Sequence, residues 1–127
     1  MKEKAGLITA IVIRSEAFVT AAKAFLACAQ NSPSTHVKER RTCYQAAGDC
    51  YSDARDLKNA GNCYQSAELY AKAARVYQEG EYFDEMVKII TQHKNAIGDG
   101  IYEKMINAAR VHYFKVYPTG LLTSEFH

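Results

Sequence analysis

Apolar residues recur at helical spacing along most of this chain. Near the start, Leu7, Ile11, Phe18, Ala22, Phe25 and Ala29 share one stripe, with Ile8, Val12, Val19 and Leu26 beside it. The pattern predicts one helix from roughly Glu3 to Gln30, and a stripe so broad is expected to touch two neighbours. Asn31-Ser32-Pro33-Ser34 should end that helix and start another, with Ser32 as cap and Pro33 as first helical residue. This junction is the only segment that reads as a linker.

From Glu39 to Ile90 the pattern repeats every thirteen residues, as ERRTCYQAAGDCY, SDARDLKNAGNCY, QSAELYAKAARVY and QEGEYFDEMVKII. The blocks end in Tyr51, Tyr64, Tyr77 and Ile90. Their ninth positions are Ala47, Ala60, Ala73 and Met86, and their tenth Gly48, Gly61, Ala74 and Val87. Thirteen residues make about 3.6 helical turns, so one unbroken helix would scatter the tyrosines over opposite faces. Either the helix breaks, or it faces two neighbours. Ser52, Asp53 and Asp56 are cap formers and predict a turn before Leu57, with Asp56 capping the next helix. From Leu57 to Glu79 the one interruption is Gly61. One long helix is expected there, showing Tyr64 to the element before it and Tyr77 to the one after.

Gly80-Glu81-Tyr82-Phe83 makes the next turn, and Asp84 is expected to cap a helix carrying Met86, Val87, Ile89 and Ile90. After a loop from Asn95 to Asp99, Asp99 should cap a last helix in which Ile101, Met105, Ala108, Ala109, His112 and Val116 line one face. Pro118 and Gly120 should end it, and the tail TGLLTSEFH has no useful periodicity. Gly48 and Gly61 either close helices or sit inside them as small residues admitting a close neighbour, and local chemistry does not choose.

The remaining composition narrows the class. A chain of 127 residues fits one domain with a core that needs no staples. Scarce proline and many Ala, Lys, Glu and Gln favour helices. A net charge of +2, with 16 basic and 14 acidic residues interspersed, offers no field to steer an anionic polymer. MKEK followed by AGLITAIVI resembles a charged leader and a short apolar stretch. Arg14, Glu16 and Lys23 interrupt it, so neither a signal peptide nor a membrane span is expected. Cys28, Cys43, Cys50 and Cys63 contain no C-x-x-C pair, and the expectation is an intracellular protein, cytoplasmic or nuclear, with reduced, mostly buried thiols.

Sites of chemistry are weakly signalled. Cys43, Cys50 and Cys63 with His36, His93 or His112 could assemble a metal site or a thiol nucleophile on paper, but Cys50 and Cys63 follow the repeat and read as structural. Asp53 with Asp56, and Asp84 with Glu85, stand near helix starts, where capping and the helix dipole explain them better than acid–base work. Tyr44, Tyr51, Tyr64, Tyr70, Tyr77 and Tyr82 could serve as stacking platforms for single-stranded nucleic acid. That role also needs a basic groove, whereas His36 to Glu79 carries seven Lys or Arg against six Asp or Glu. Core packing is favoured, with hydroxyls reaching the edge. No catalytic residue, metal or cofactor is expected, and the chain does not read as an enzyme.

Tyr44, Ala47, Gly48, Tyr51, Ala60, Tyr64 and Ala67 follow the spacing of the tetratricopeptide repeat, which the chain resembles over residues 40 to 94. A weaker copy runs through Tyr70, Ala73, Ala74, Tyr77, Met86 and Ile90. The resemblance implies that Gly48 and Gly61 lie inside helices, with bends at Ala54 to Asp56 and at Gly80 to Asp84. The copies start 26 residues apart rather than the thirty-four of the standard motif, and neither closes with proline. DEMVKIITQHKNAI with INAARVHYFK also resembles the repeat region of tetratricopeptide and ankyrin repeat-containing, UvrD-like helicases. No G-x-x-x-x-G-K-[ST] is present, so on that resemblance the chain would be an accessory region or a truncated relative. The implied fold is all-α, a short α-solenoid of about five antiparallel helices with the first as a cap. The implied function is a non-catalytic scaffold or adaptor binding protein or peptide, homo-oligomers included, without membrane and without direct nucleic-acid contact. In the family the first helix of each repeat lines a groove, which here implies Gln45, Asp49 and Ser52, then Arg75 and Gln78. Lys72, one turn before Arg75, joins them, and Lys72 with Arg75 could donate to a peptide carboxylate.

Overall fold

The computed structural model describes residues 2–117, and among these the chain is all-α. Its helices are α1 (Lys2–Asn31), α2 (Val37–Asp53), α3 (Leu57–Ser66), α4 (Tyr70–Glu79), α5 (Phe83–Gln92), the single turn α6 (Lys94–Ile97) and α7 (Asp99–Val116). Seven helices replace the expected five because Leu57–Glu79 is two helices and the expected loop after α5 contains α6.

The break in Leu57–Glu79 follows from the period. Arg55, Glu68 and Glu81, thirteen residues apart, all take the left-handed conformation, with φ of 63°, 61° and 63°. After each, the N–H of Asp56, Leu69 or Tyr82 donates to the carbonyl of Tyr51, Tyr64 or Tyr77. The N–H groups of Arg55, Glu68 and Glu81 donate to Ser52, Gln65 and Gln78. Both bonds belong to the Schellman motif, which satisfies the last carbonyls of a helix. Asp56, Leu69 and Tyr82 then stand at the N-caps of α3, α4 and α5. Each reversal therefore occupies three residues. The repeating unit of α3 and of α4 is a ten-residue helix plus that turn. Ser66-Ala67-Glu68-Leu69 lacks the marks of the other two turns, since Leu69 stands where Asp56 caps α3 and Ala67 where Gly80 ends α4.

Other boundaries shift for local reasons. Asp56 caps α3 as expected, accepting from the Asn59 N–H at 3.3 Å. Ser32 does not cap α2. Its hydroxyl donates back to the Cys28 carbonyl at 2.7 Å, and α2 begins at Val37 instead of Pro33. Asp84 lies in the first turn of α5, whose N-cap is Tyr82, and its side chain accepts from the Tyr113 hydroxyl. Gly98, at φ 89°, takes the N-cap position expected of Asp99. In α7 the inward face is Met105 and Ala109 with Tyr102, Ile106 and Tyr113 partly covered, while Ile101 and Val116 are exposed. The helix is rotated from the expected face so that Tyr113 reaches α5. Pro118, Gly120 and the tail lie outside the described residues.

Each helix packs on the next, α1 on α2, α2 on α3, α3 on α4, α4 on α5 and α5 on α7, with α6 against α4, α5 and α7. Ala47, Ala60, Ala73 and Met86, the ninth positions of the blocks, are completely buried, as are Tyr64, Tyr77, Ile89 and Ile90 to within a few per cent. Contacts near the end and at the middle of α1 show that it runs antiparallel to α2. Arg40 Nε donates to the Ala29 carbonyl at 3.3 Å, and Ser15 Oγ to the Ala54 carbonyl at 3.2 Å. Residues before Ser15 therefore project past the end of α2. Ala22 and Ala29 are buried, Val19 and Leu26 partly so, but Leu7, Ile8, Ile11, Val12 and Ile13 are 48–62% exposed. Among the described residues the broad stripe packs chiefly on one neighbour, α2, not on two. Despite its charges, α1 from Lys4 is by length and composition apolar enough to cross a membrane, with a mean hydropathy of 1.5 over its most apolar stretch.

Candidate functional site

Helices α2 and α3 share the sequence A-G-(D/N)-C-Y, at Ala47 to Tyr51 and Ala60 to Tyr64, and its residues have a physical role. Gly48 and Gly61 both lie inside helices, buried, each facing the ring of the tyrosine on the following helix. A Cβ on Gly48 would stand 2.7 Å from Tyr64 Cε1, and one on Gly61 would stand closer still to Tyr77 Cε1. Glycine is needed for proximity here, not for backbone freedom. The next residue in each phrase takes the hydroxyl of that same ring. Tyr64 donates to Asp49 and Tyr77 to Asn62, both at 2.5 Å. Thus glycine admits a ring, the short polar residue receives its hydroxyl, and the closing tyrosine of α3 packs back on α2. Tyr77 also packs backward, on α3, contrary to the expectation that it faces the element after it.

Asp49 is engaged twice. Lys72 of α4 brings its Nζ to 3.6 Å from Asp49 and lies over the Tyr64 ring at 5.1 Å from the centroid. Two of the groove candidates, Asp49 and Lys72, are therefore joined through Tyr64. A carboxylate approaching Lys72 would compete with Asp49. Arg75 is exposed and has no ion-pair partner among the described residues. With Lys72, Leu69, Tyr70 and Ala96 it lines an open hollow of about 370 Å³, where Tyr70 stacks on His93 at 3.5 Å. Gln45 is exposed, and Ser52 and Gln78 are half-buried, their carbonyls held by the turns. Their side chains make no hydrogen bond among the described residues.

Burial dominates the acid–base chemistry. It raises the Tyr64 hydroxyl above its usual value, helped by the bond to Asp49. It pushes Tyr77 to about 12, with Glu85 and Cys63 adding to the effect, and the Cys63 thiol to about 11, with Asp56 contributing. Cys63 is thus a protonated core group. The other thiols depart from the expectation of mostly buried cysteines, since Cys28 is exposed and Cys43 and Cys50 are partly so. Cys43 Sγ lies 3.5 Å from Cys28 Sγ across the α1–α2 contact, a proximity that spacing alone did not reveal. Among the described residues no three His, Cys, Asp or Glu converge as metal ligands. His112 stacks on Phe83, with centroids 4.3 Å apart, and His93 on Tyr70. No family model, curated protein or solved structure matches the chain.

Proposed function

We propose that the chain is a non-catalytic protein-binding scaffold or adaptor, in which thirteen-residue helix-and-turn units build a short solenoid of antiparallel helices resembling a tetratricopeptide array. The recurring left-handed turn and the backward-packing tyrosines support the solenoid reading. One observation carries the binding role: Leu7, Ile8, Ile11, Val12 and Ile13 form an exposed apolar surface on the projecting end of α1. Apolar surface concentrated in this way marks an interaction site.

A protein partner suits this surface better than a bilayer crossing. The uncharged projecting stretch from Ala5 to Ile13 spans only about 13 Å as a helix, against a hydrocarbon core of about 30 Å. Beyond Ser15 the same helix lies against α2, whose first turns carry Lys38, Glu39, Arg40 and Arg41. A second reading, an accessory or structural part of a larger helicase-like polypeptide, draws support from α7. That helix exposes Ile101, Val111, Phe114 and Val116, so both end helices offer surface on which further helices could stack.

The test is crosslinking capture from native cell extract with three baits. They are the wild-type chain, a Leu7→Ser, Ile8→Ser, Ile11→Ser variant, and a variant with alanine at Gln45, Asp49, Ser52, Lys72, Arg75 and Gln78. The expected result is one specific partner lost with the α1 variant and kept by the six-alanine variant. Loss with the six-alanine variant alone moves the contact to the groove. Identical capture by all three baits overturns binding through either surface.

A further inference from the structure

The pairing of Cys28 and Cys43 goes beyond the scaffold reading and is independent of it. Cys28 lies in the last turns of α1 and Cys43 in the second turn of α2, with Sγ atoms 3.5 Å apart. The nearby bond from Arg40 Nε to the Ala29 carbonyl fixes the two helices at this level, one residue from Cys28 and three from Cys43. Cys28 is exposed, so a reagent in solution reaches it, and Cys43, partly covered, stands beside it. Closing from 3.5 Å to the disulfide bond length of about 2.05 Å asks for a side-chain movement of about 1.5 Å.

We propose that Cys28 and Cys43 form a thiol–disulfide modification site that takes low-molecular-weight disulfides such as oxidised glutathione and closes a covalent clamp between α1 and α2. The Cys28 thiolate attacks one sulfur of oxidised glutathione. The glutathione S–S bond breaks, one glutathione thiol leaves, and a mixed disulfide remains on Cys28. Cys43 then gives up its proton and attacks Cys28 Sγ, expelling the second glutathione. Two protein thiols are oxidised by two electrons, and one oxidised glutathione is reduced to two thiols. The order follows from the geometry, because the Cys43 thiol donates to Cys28 Sγ. That bond, followed by burial, raises the Cys43 pKa and keeps the inner thiol in reserve for the second step.

Oxidised glutathione added to the whole chain provides the test, with peptide mapping by mass spectrometry and thermal unfolding as readouts. The expected map links Cys28 to Cys43 within one chain, with Cys63 left as a free thiol. The expected melting temperature rises by about 10 °C and returns to its starting value on addition of dithiothreitol. Cys28→Ser should show no rise and no intrachain link. Cys43→Ser should stop at the glutathione adduct on Cys28, the intermediate trapped. An adduct on Cys28 in the wild type that never resolves, a link through Cys50 or Cys63, or a purely intermolecular disulfide would each overturn the proposal.

Discussion

Helices α3 and α1 divide the work of this molecule unevenly. The ten residues of α3 bury Leu57, Ala60, Gly61, Cys63 and Tyr64 between two neighbours. The thirty residues of α1, the most apolar helix, bury two alanines and leave a row of large aliphatic side chains in solvent. Apolar content therefore does not decide where the core lies. In α3 the core is made by shape: a helix short enough to be flanked on both sides, a glycine that lets a ring approach, and an acceptor for its hydroxyl. In α1 the apolar residues outrun the length of α2, the helix they pack against among the described residues.

The comparison is broken most sharply by truncation on each side. Tyr77→Ala should cost about 4 kcal/mol in urea unfolding, because it empties a fully buried aromatic site. Ile11→Ala should cost less than about 0.5 kcal/mol. A loss above about 1 kcal/mol at Ile11 would mean that the projecting end of α1 is covered in solution.

Alkaline pH should act most strongly on the buried hydroxyls and thiol of the repeat. The buried Tyr77 holds its proton more tightly in the fold than when unfolded. Its stabilisation is complete below the ordinary tyrosine value of about 10 and is lost as pH rises through about 12. Cys63 adds a loss of the same sign that begins near pH 9 and runs through about 11. Stability measured from pH 8 to 12 should fall by on the order of 2 kcal/mol from Tyr77 alone. Tyr77→Phe should flatten the upper part of that fall, and an unchanged slope would contradict the assignment.

Glycine substitutions should give opposite signs in the two helices. Gly61→Ala drives a Cβ into the Tyr77 ring and should cost about 1 to 2 kcal/mol net of improved helix propensity. Gly6→Ala, with no atom within 4 Å of the new Cβ, should gain about 0.5 kcal/mol. Introducing glycine reverses the sign again. Glu81→Gly relieves a left-handed non-glycine residue and should stabilise by about 0.5 to 1 kcal/mol. Glu16→Gly, inside α1, should destabilise by a similar amount. Denaturation midpoints measured side by side check both pairs.

The turns at Asp56 and Gly80 were legible because cap formers and a glycine mark them. The turn at Glu68 was not, since Ser66-Ala67-Glu68-Leu69 carries no such mark, and the information sat in the interval of thirteen instead. The period leaves two solutions, a break in every interval or a helix facing two neighbours, and the chain takes the break even where local residues favour helix. The all-helical class and the interior placement of Gly48 and Gly61 could be read in advance, the latter through the resemblance. The join of Asp49 to Lys72 and the approach of Cys28 to Cys43 could not, because both depend on how far apart neighbouring helices lie. The exposure of α1 was missed for a simpler reason. Periodicity identifies a face that needs covering but says nothing about whether a partner helix is long enough to cover it.

Three tyrosine hydroxyls point the same way in time. Tyr64 reaches back to Asp49, Tyr77 to Asn62 and Tyr113 to Asp84, each to a residue that leaves the ribosome earlier. In these three contacts a nascent chain delivers the donor to an acceptor already made, so α3, α4 and α7 each meet their tyrosine's partner on emerging.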